Sequence, residues 1–172
     1  MLRTPRLHLR PYTESDRDDY VALFTDPAVM AHVDGALSHA AASALFDELT
    51  GRRPRRPRVH TAWAAARADG VLVGHTALLV DKDEPGLELA YILGAPHWGQ
   101  GYATELATAL LAYGHNVLGE PRLIATVDSD HPASRRVLEK VGMRPLREVH
   151  ETDGSWWYYE HIYPSQPIPQ TA

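Results

Sequence analysis

The sequence predicts an α+β (mixed α/β) fold with one central sheet. Three observations support this: three consecutive strand patterns occupy the middle of the chain, helix and strand patterns alternate after them, and no repeat or linker divides the 172 residues. That length is sufficient for one domain with one core. We therefore expect a single domain over residues 1–163, followed by a proline-rich tail at 164–172.

The first part of the chain predicts one strand and two helices. Apolar and polar residues alternate over residues 7–10, as in a half-buried strand, and Pro11 ends it. Thr13 and Asp16 have the spacing of a capping box and should begin the first helix. A second helix is expected from Ser38 to about Leu49, where a glycine follows as a stop signal.

Residues 52–58 hold five arginines and two prolines in seven positions. Proline disfavours a helix there, and the charges disfavour burial, so this segment should be a loop. We favour a solvated connector. The alternative is an electropositive lip for an acidic substrate or for cofactor phosphates.

The rest of the chain alternates between strand and helix patterns. An Asp-Gly pair at residues 69–70 and a second such pair at 153–154 are hairpin-turn signals. Between and around them we expect strands at Thr61–Ala68, Val71–Val80, Leu87–Leu93 and Arg122–Asp128, and helices at about Ala103–Asn116 and Pro132–Val141.

Composition excludes several kinds of site. The net charge of −5 and the pI of about 6.0 speak against nucleic acid or a membrane surface as a partner. The absence of cysteine excludes disulfides, thiolate zinc sites and cysteine nucleophiles. The ten histidines show no metal-binding spacing, so no metal is expected. With no signal peptide pattern or membrane span, a cytoplasmic protein is expected.

The segment from Gly94 to Thr104 carries the clearest chemical signal. It has no side chain of fixed charge, contains Gly99 and Gly101, and leads from a strand into a helix. Such a loop binds an anion with backbone N–H groups and the positive end of the helix dipole. A phosphate or pyrophosphate is the expected ligand, although the motifs of P-loops and dinucleotide-binding folds are absent.

Two motifs in this order resemble those of the GNAT superfamily of N-acetyltransferases, in particular its RimJ/RimL-like branch. The first is Glu88-Leu89-Ala90-Tyr91 followed by Trp98-Gly99-Gln100-Gly101-Tyr102-Ala103-Thr104-Glu105, and the second spans Asp130–Met143. Residues 4–11 also resemble the first strand of that branch. The resemblance implies a GNAT-like single central mixed, mostly antiparallel sheet flanked by helices, with acetyl-CoA as co-substrate and no metal.

The resemblance also implies a set of coenzyme-binding residues. Backbone at Ile92 and Leu93 would hold the pantetheine and polarise the thioester carbonyl, and residues 99–104 would take the pyrophosphate. Arg136 and Lys140 are candidates for the 3′-phosphate, and a solvated helix face explains them equally well. The full expected set is Ile92, Leu93, Trp98, Gly99, Gln100, Gly101, Tyr102, Ala103, Thr104, His131, Ser134 and Arg136.

Three positions depart from the family pattern. His131 stands where asparagine is usual, Met143 replaces phenylalanine, and Leu138 stands where many members carry a tyrosine general acid. In the RimJ/RimL-like branch the serine of the second motif is a candidate acid instead, and it corresponds to Ser134. A hydroxyl that only bonds backbone is the alternative for that serine.

Acetyl transfer to an amine also needs a proton acceptor. Glu88 is our first choice, because its strand should line the cleft, and a surface or paired carboxylate is the alternative. His75 on the neighbouring strand is a second choice, although the position favours a histidine that is satisfied within the strand and has only a structural role. We expect catalysis by Glu88 and Ser134.

The predicted function is transfer of acetyl from acetyl-CoA to a primary amine by direct attack in a ternary complex. The acceptor would be a protein N-terminus or a small molecule, and the enzyme a monomer or homodimer. The alternative is a catalytically degenerate GNAT-like domain that binds coenzyme A as a sensor or scaffold. The vacant tyrosine position at Leu138 and the change at His131 permit that alternative.

Overall fold

The computed structural model describes residues 2–53, 59–152 and 154–163. Within these ranges the chain forms one eight-stranded sheet and four α-helices. The strands are β1 Leu2–Arg3, β2 Leu7–Arg10, β3 Val59–Arg67, β4 Leu72–Val80, β5 Leu87–Leu93, β6 Arg122–Asp128, β7 Arg144–Glu151 and β8 Gly154–Ile162. The helices are α1 Arg17–Thr25, α2 His39–Leu49, α3 Tyr102–Asn116 and α4 Pro132–Lys140.

The strand order is β1-β2-β3-β4-β5-β6-β8-β7, and β5 with β6 is the one parallel pair among the strands described. The predicted mixed α/β fold with a single, mostly antiparallel sheet is therefore confirmed. Two further predictions, the arginine-rich segment at 54–58 and the tail at 164–172, lie outside the described residues, as does Asp153 of the last predicted turn.

The predicted boundaries differ from the structure mainly at element ends. The β5 and β6 boundaries match the prediction, whereas β1 was not predicted because two residues are too short to show alternation. The N–H of Thr13 donates to Asp16 Oδ2 at 2.8 Å, as in the predicted capping box, but the turn that follows is a 3₁₀ turn. The α1 helix consequently begins at Arg17.

Two hydrophobic cores lie on opposite faces of the sheet. On one face α3 and α4 pack through residues such as Leu106, Leu110 and Leu138. On the other face α1 and α2 contribute Tyr20 and Phe46. Because side chains alternate along a strand, successive residues of β5 face different cores.

The strands β5 and β6 diverge after a short paired stretch. Their pairing joins Leu87 with Leu123 and Glu88 with Ile124, and no later register pair is found between them in the described chain. Beyond this point β5 stays paired with β4, and β6 stays paired with β8. The resulting gap, here called the cleft, opens toward the carboxyl ends of β5 and β6, where Ile92 and Leu93 lie.

Candidate functional site

A cavity of about 560 Å³ occupies the cleft and the space above it. Its walls come from the end of β5 and the loop that follows, from the start of α4, and from the segment between α1 and α2. Every predicted coenzyme-binding residue except Gln100 lines it: Ile92, Leu93, Trp98, Gly99, Gly101, Tyr102, Ala103, Thr104, His131, Ser134 and Arg136. The structure therefore brings two distant segments of sequence to one place.

The loop at the start of α3 presents a row of backbone donors. Gly99 and Gly101 have φ of +71° and +81°, the left-handed region that glycine adopts without strain. No acceptor in the described chain takes a hydrogen bond from the N–H groups of residues 99–104. Successive backbone donors at a helix N-terminus are an arrangement that binds anions in proteins, and its chemistry suits a pyrophosphate.

Side chains around the loop hold its shape. Trp98 Nε1 donates to the Leu93 carbonyl at 2.8 Å, and Gln100 Nε2 donates to the Pro96 carbonyl at 2.9 Å. The Gln100 side chain therefore stabilises the loop instead of lining the cavity.

Arg6 was not predicted as a site residue, yet it supports the same loop. Its Nη1 donates to the Gln100 carbonyl at 2.9 Å, its Nε donates to Glu105 at 2.7 Å, and its guanidinium lies 4.4 Å from the ring centre of Tyr102. The residues 4–11 that resemble the family's first strand were the available sequence signal. Arg6 fixes the start of α3 against β2.

Ser134 and Tyr91 form a hydroxyl pair inside the cavity. The two oxygens are 2.9 Å apart, joining β5 to the first turn of α4, and both residues line the cavity. Burial raises the pKa of the Tyr91 phenol, which is therefore protonated at neutral pH. Tyr91 was not predicted as a functional residue, although it lies within the motif that carries the resemblance.

Glu88 lies at the bottom of the cleft and is only 4% exposed. Its Oε1 accepts a hydrogen bond from Thr126 Oγ1 on β6 at 2.5 Å, and it is not among the described residues that line the cavity. Ile92 shares its face of β5, but four residues of strand separate them by roughly 13 Å. The Glu88 carboxylate is therefore hydrogen-bonded within the sheet, which agrees with the alternative that it is a paired carboxylate with a structural role.

His75 lies opposite Ile92 on β4, outside the described lining of the cavity. Its Nδ1 is 2.8 Å from the Tyr12 hydroxyl, and its ring packs against Tyr20 and Phe24. Burial lowers its pKa to about 4, so the imidazole is neutral at pH 7. These contacts match a histidine that is satisfied within the core.

The other residues singled out in the sequence lie in the hydrophobic core, at the cavity or on the surface. Leu138, where many family members carry tyrosine, is 1% exposed in the core beneath α4, and Met143 is also buried there. Arg136 lines the cavity, whereas Lys140 is exposed and is not among the described lining residues.

The structure groups the predicted residue His131 with two side chains that were not predicted, His32 and Asp128. His32, in the segment between α1 and α2, places Nδ1 3.1 Å from Asp128 Oδ2 at the end of β6. Its ring stacks on that of His131, the residue before α4, with centroids 4.2 Å apart. His32 and Asp128 are 96 positions apart, so no local sequence pattern links them.

Within the described residues, no three His, Asp or Glu side chains are grouped to hold a metal ion. No helix in that part of the chain is long and apolar enough to cross a membrane.

Comparison with solved structures agrees with this architecture. A GNAT-family acetyltransferase from Bacillus anthracis superimposes with a TM-score of 0.81 at 22% identity, covering 94% of this chain and 97% of its own. A spermidine N-acetyltransferase from Vibrio cholerae, solved with CoA and spermine, superimposes with a TM-score of 0.73 at 16% identity, covering 91% of this chain and 95% of its own. An aminoglycoside acetyltransferase solved with coenzyme A superimposes with a TM-score of 0.74 at 18% identity, covering 91% of this chain and 94% of its own. At these identities the likeness concerns the fold.

Comparison of sequences identifies the family. The uncharacterised N-acetyltransferase YoaA of Bacillus subtilis strain 168 is 30% identical over 158 residues, covering 84% of this chain and 82% of its own. A second one from that organism, YnaD, is 26% identical over 167 residues and covers 94% and 95%. The model of the acetyltransferase (GNAT) domain matches residues 6–144, most of the chain. The chain therefore belongs to the GNAT acetyltransferase family.

Proposed function

We propose that this acetyl-CoA-dependent acetyltransferase acts on a primary amine, which attacks the thioester directly in a ternary complex. The observation that carries the proposal is the row of six backbone N–H donors at residues 99–104, which opens onto the same cavity as Ser134. The donors suit a pyrophosphate, and the serine hydroxyl suits a leaving thiolate.

The coenzyme would follow the cavity from the loop to the cleft. The pyrophosphate would accept hydrogen bonds from residues 99–104, and the pantetheine would pass along the backbone of Ile92 and Leu93. Trp98, Tyr102 and His131 line the same path, and Arg136 supplies a positive charge for the 3′-phosphate. Burial of the thioester beside backbone dipoles would stabilise the oxyanion that forms at its carbonyl.

In the transfer step the amine nitrogen forms a bond to the thioester carbon and the carbon–sulfur bond breaks. We propose that Ser134 gives a proton to the departing thiolate and regains one from Tyr91, which lies within hydrogen-bond distance, and that Tyr91 is reprotonated from solvent when the products leave. A thiol of this kind has a pKa near 8.5, so its thiolate leaves with modest assistance.

The amine must also lose a proton. An α-amino group with a pKa near 8 costs about 1.4 kcal/mol to neutralise at pH 7, whereas a lysine costs about 4.6 kcal/mol. Glu88 stays a proposal for this step through an intervening water, because it is buried and paired with Thr126. His75 is a second proposal for the proton acceptor, but its Nδ1 already contacts the Tyr12 hydroxyl.

The acceptor we propose is a small-molecule amine or a protein N-terminus. The solved neighbours whose titles name spermidine and aminoglycosides support small-molecule amines, and the likeness of residues 4–11 and 130–143 to the RimJ/RimL-like branch supports protein N-termini. We further propose a cytoplasmic monomer or homodimer.

The second candidate function is a catalytically degenerate domain that only binds coenzyme A, favoured by the buried leucine at position 138. An assay of thiol release from acetyl-CoA, with and without a panel of amines and peptides, separates the two. The enzyme proposal expects amine-dependent thiol release with acetylated product. Coenzyme A binding without release for any acceptor would support the degenerate domain.

A further inference from the structure

His32 lines the cavity, and its imidazole contacts the carboxylate of Asp128, which lies behind it and is not among the described lining residues. The Nδ1–Oδ2 distance is 3.1 Å, and the two side chains are 35% and 37% exposed, so each is accessible from solvent. His32 lines the same cavity as Ile92 and Ser134. An acceptor that reaches the thioester therefore passes an imidazole already fixed by a carboxylate.

The Asp128 contact decides which ring nitrogen is basic. Since a carboxylate only accepts hydrogen bonds, it favours the tautomer of neutral His32 that carries its proton on Nδ1. The other nitrogen, Nε2, then has a free lone pair and can accept a proton. Asp128 also stabilises the imidazolium that results, as the third member of a catalytic triad does.

An imidazole and a carboxylate flank His32. His131 stacks on its ring, and burial followed by the charge of His32 lowers the His131 pKa, which favours the neutral form of His131. Burial alone raises the Asp128 pKa, but hydrogen bonds from the Asp130 N–H and His32 outweigh it, so Asp128 remains ionised. The charged or titratable groups that line the cavity with His32 are Tyr91, His97, Tyr102, His131 and Arg136. Asp34, Asp128 and Asp130 lie on the adjoining segments.

We propose that His32, oriented by Asp128, is the direct proton acceptor for the amine. The inference rests on the proposed function. The proton leaves the amine nitrogen for His32 Nε2, the nitrogen lone pair forms the bond to the thioester carbon, and the thiolate is protonated from the Ser134 side. Glu88 and His75 compete for the same step, but neither is among the described residues lining the cavity.

The test compares His32→Gln with Glu88→Gln, using an amine that the wild type acetylates. His39→Gln is the matched control, because that histidine is exposed at the start of α2 and is not a described lining residue. We expect His32→Gln to lower kcat by about 10²- to 10⁴-fold and to flatten its pH dependence, with acetyl-CoA affinity unchanged. Asp128→Asn should lower kcat by a smaller factor than His32→Gln does, and Asp130→Asn should keep the kcat of the wild type.

Chemical rescue by added imidazole is a second measurement, and it would have no effect if His32 had only a structural role. Imidazole in solution should restore part of the rate of His32→Ala, because it supplies the missing proton acceptor. A wild-type kcat and pH profile in His32→Gln would overturn the proposal, as would a loss confined to the acceptor KM. A wild type that acetylates no amine would reject the proposed function itself, which distinguishes the two failures.

Discussion

The hydroxyl oxygens of Tyr91 and Ser134 lie 2.9 Å apart and connect β5 to the first turn of α4 across the cavity. The pair couples a mostly buried phenol, which remains protonated, to a serine that faces the same space as the coenzyme loop. A proton lost from Ser134 can be replaced from Tyr91 without solvent. We propose that this pair supplies the acid that the leucine at position 138 cannot provide.

Ser134→Ala is expected to lower kcat by about 10²-fold, the low end for loss of a general acid, because the thiolate leaves tolerably without help. Tyr91→Phe should have a smaller effect in the same direction, and Ser15→Ala on the exposed turn before α1 serves as the control. Steady-state kinetics together with acetyl-CoA titration calorimetry separate rate from affinity. A wild-type kcat with affinity weaker by about 1 kcal/mol would leave Ser134 as a coenzyme contact alone.

Gly101→Asp is expected to abolish acetyl-CoA binding. The change places a carboxylate beside the row of N–H donors, and φ of +81° there is strained for any other residue. Gly119→Asp is the matched control, because its φ of +73° imposes similar strain and nothing lies within 4 Å of its added Cβ.

Calorimetry and thermal shift measure the effect of Gly101→Asp. Acetyl-CoA at a hundred times its Kd should stabilise the wild type by about 2.7 kcal/mol and the Gly119→Asp variant by the same amount. The Gly101→Asp variant should show no shift. Equal coenzyme affinity in both variants would mean that the loop is only a turn between β5 and α3.

Glu88→Gln is expected to retain acetyl-CoA affinity and to lose less turnover than His32→Gln, because glutamine can still accept the Thr126 hydrogen bond. The deciding measurement is the pH dependence of kcat. It is taken between about pH 6 and about pH 9, because the ordinary pKa values of imidazoles and amines fall in or near that range. A rate loss in Glu88→Gln that grows as the pH falls, beside an unchanged profile in His32→Gln, would assign the base to Glu88.

His75 is expected to make the fold sensitive to acid. Burial depresses its pKa to about 4 in the folded chain, below the ordinary value of about 6.5, so the folded state favours the neutral imidazole. Its contribution to stability is therefore complete above about pH 6.5 and is lost as the pH falls toward about 4.

Thermal melting from about pH 7.5 to about pH 4, values chosen to span this window, tests that dependence. His75→Gln should reduce the decline of Tm with acid while His39→Gln, at an exposed position, leaves it unchanged. Since burial also lowers the pKa of His131 and His161, part of the decline should persist. A slope in His75→Gln equal to that of the wild type would contradict the assignment.

The sequence by itself determined the features that depend on neighbouring residues. Strand patterns bounded by turn signals predicted β5 and β6 with their observed boundaries, and the glycines at 99 and 101 predicted a loop that allows unusual φ, which the structure shows as positive φ. The two motifs indicated the family, and with it the single mostly antiparallel sheet and the cleft. These properties follow from local backbone preferences and from the period of side chains along a strand.

Only the tertiary structure decided which distant residues meet. It placed Ser134 against Tyr91, paired Glu88 with Thr126 at the bottom of the cleft, and brought His32 to Asp128. Each of these contacts depends on where strands diverge and on how a connecting segment crosses the end of the sheet. Such geometry is fixed by the packing of whole elements against two cores, so it leaves no periodic trace in the sequence around any one residue.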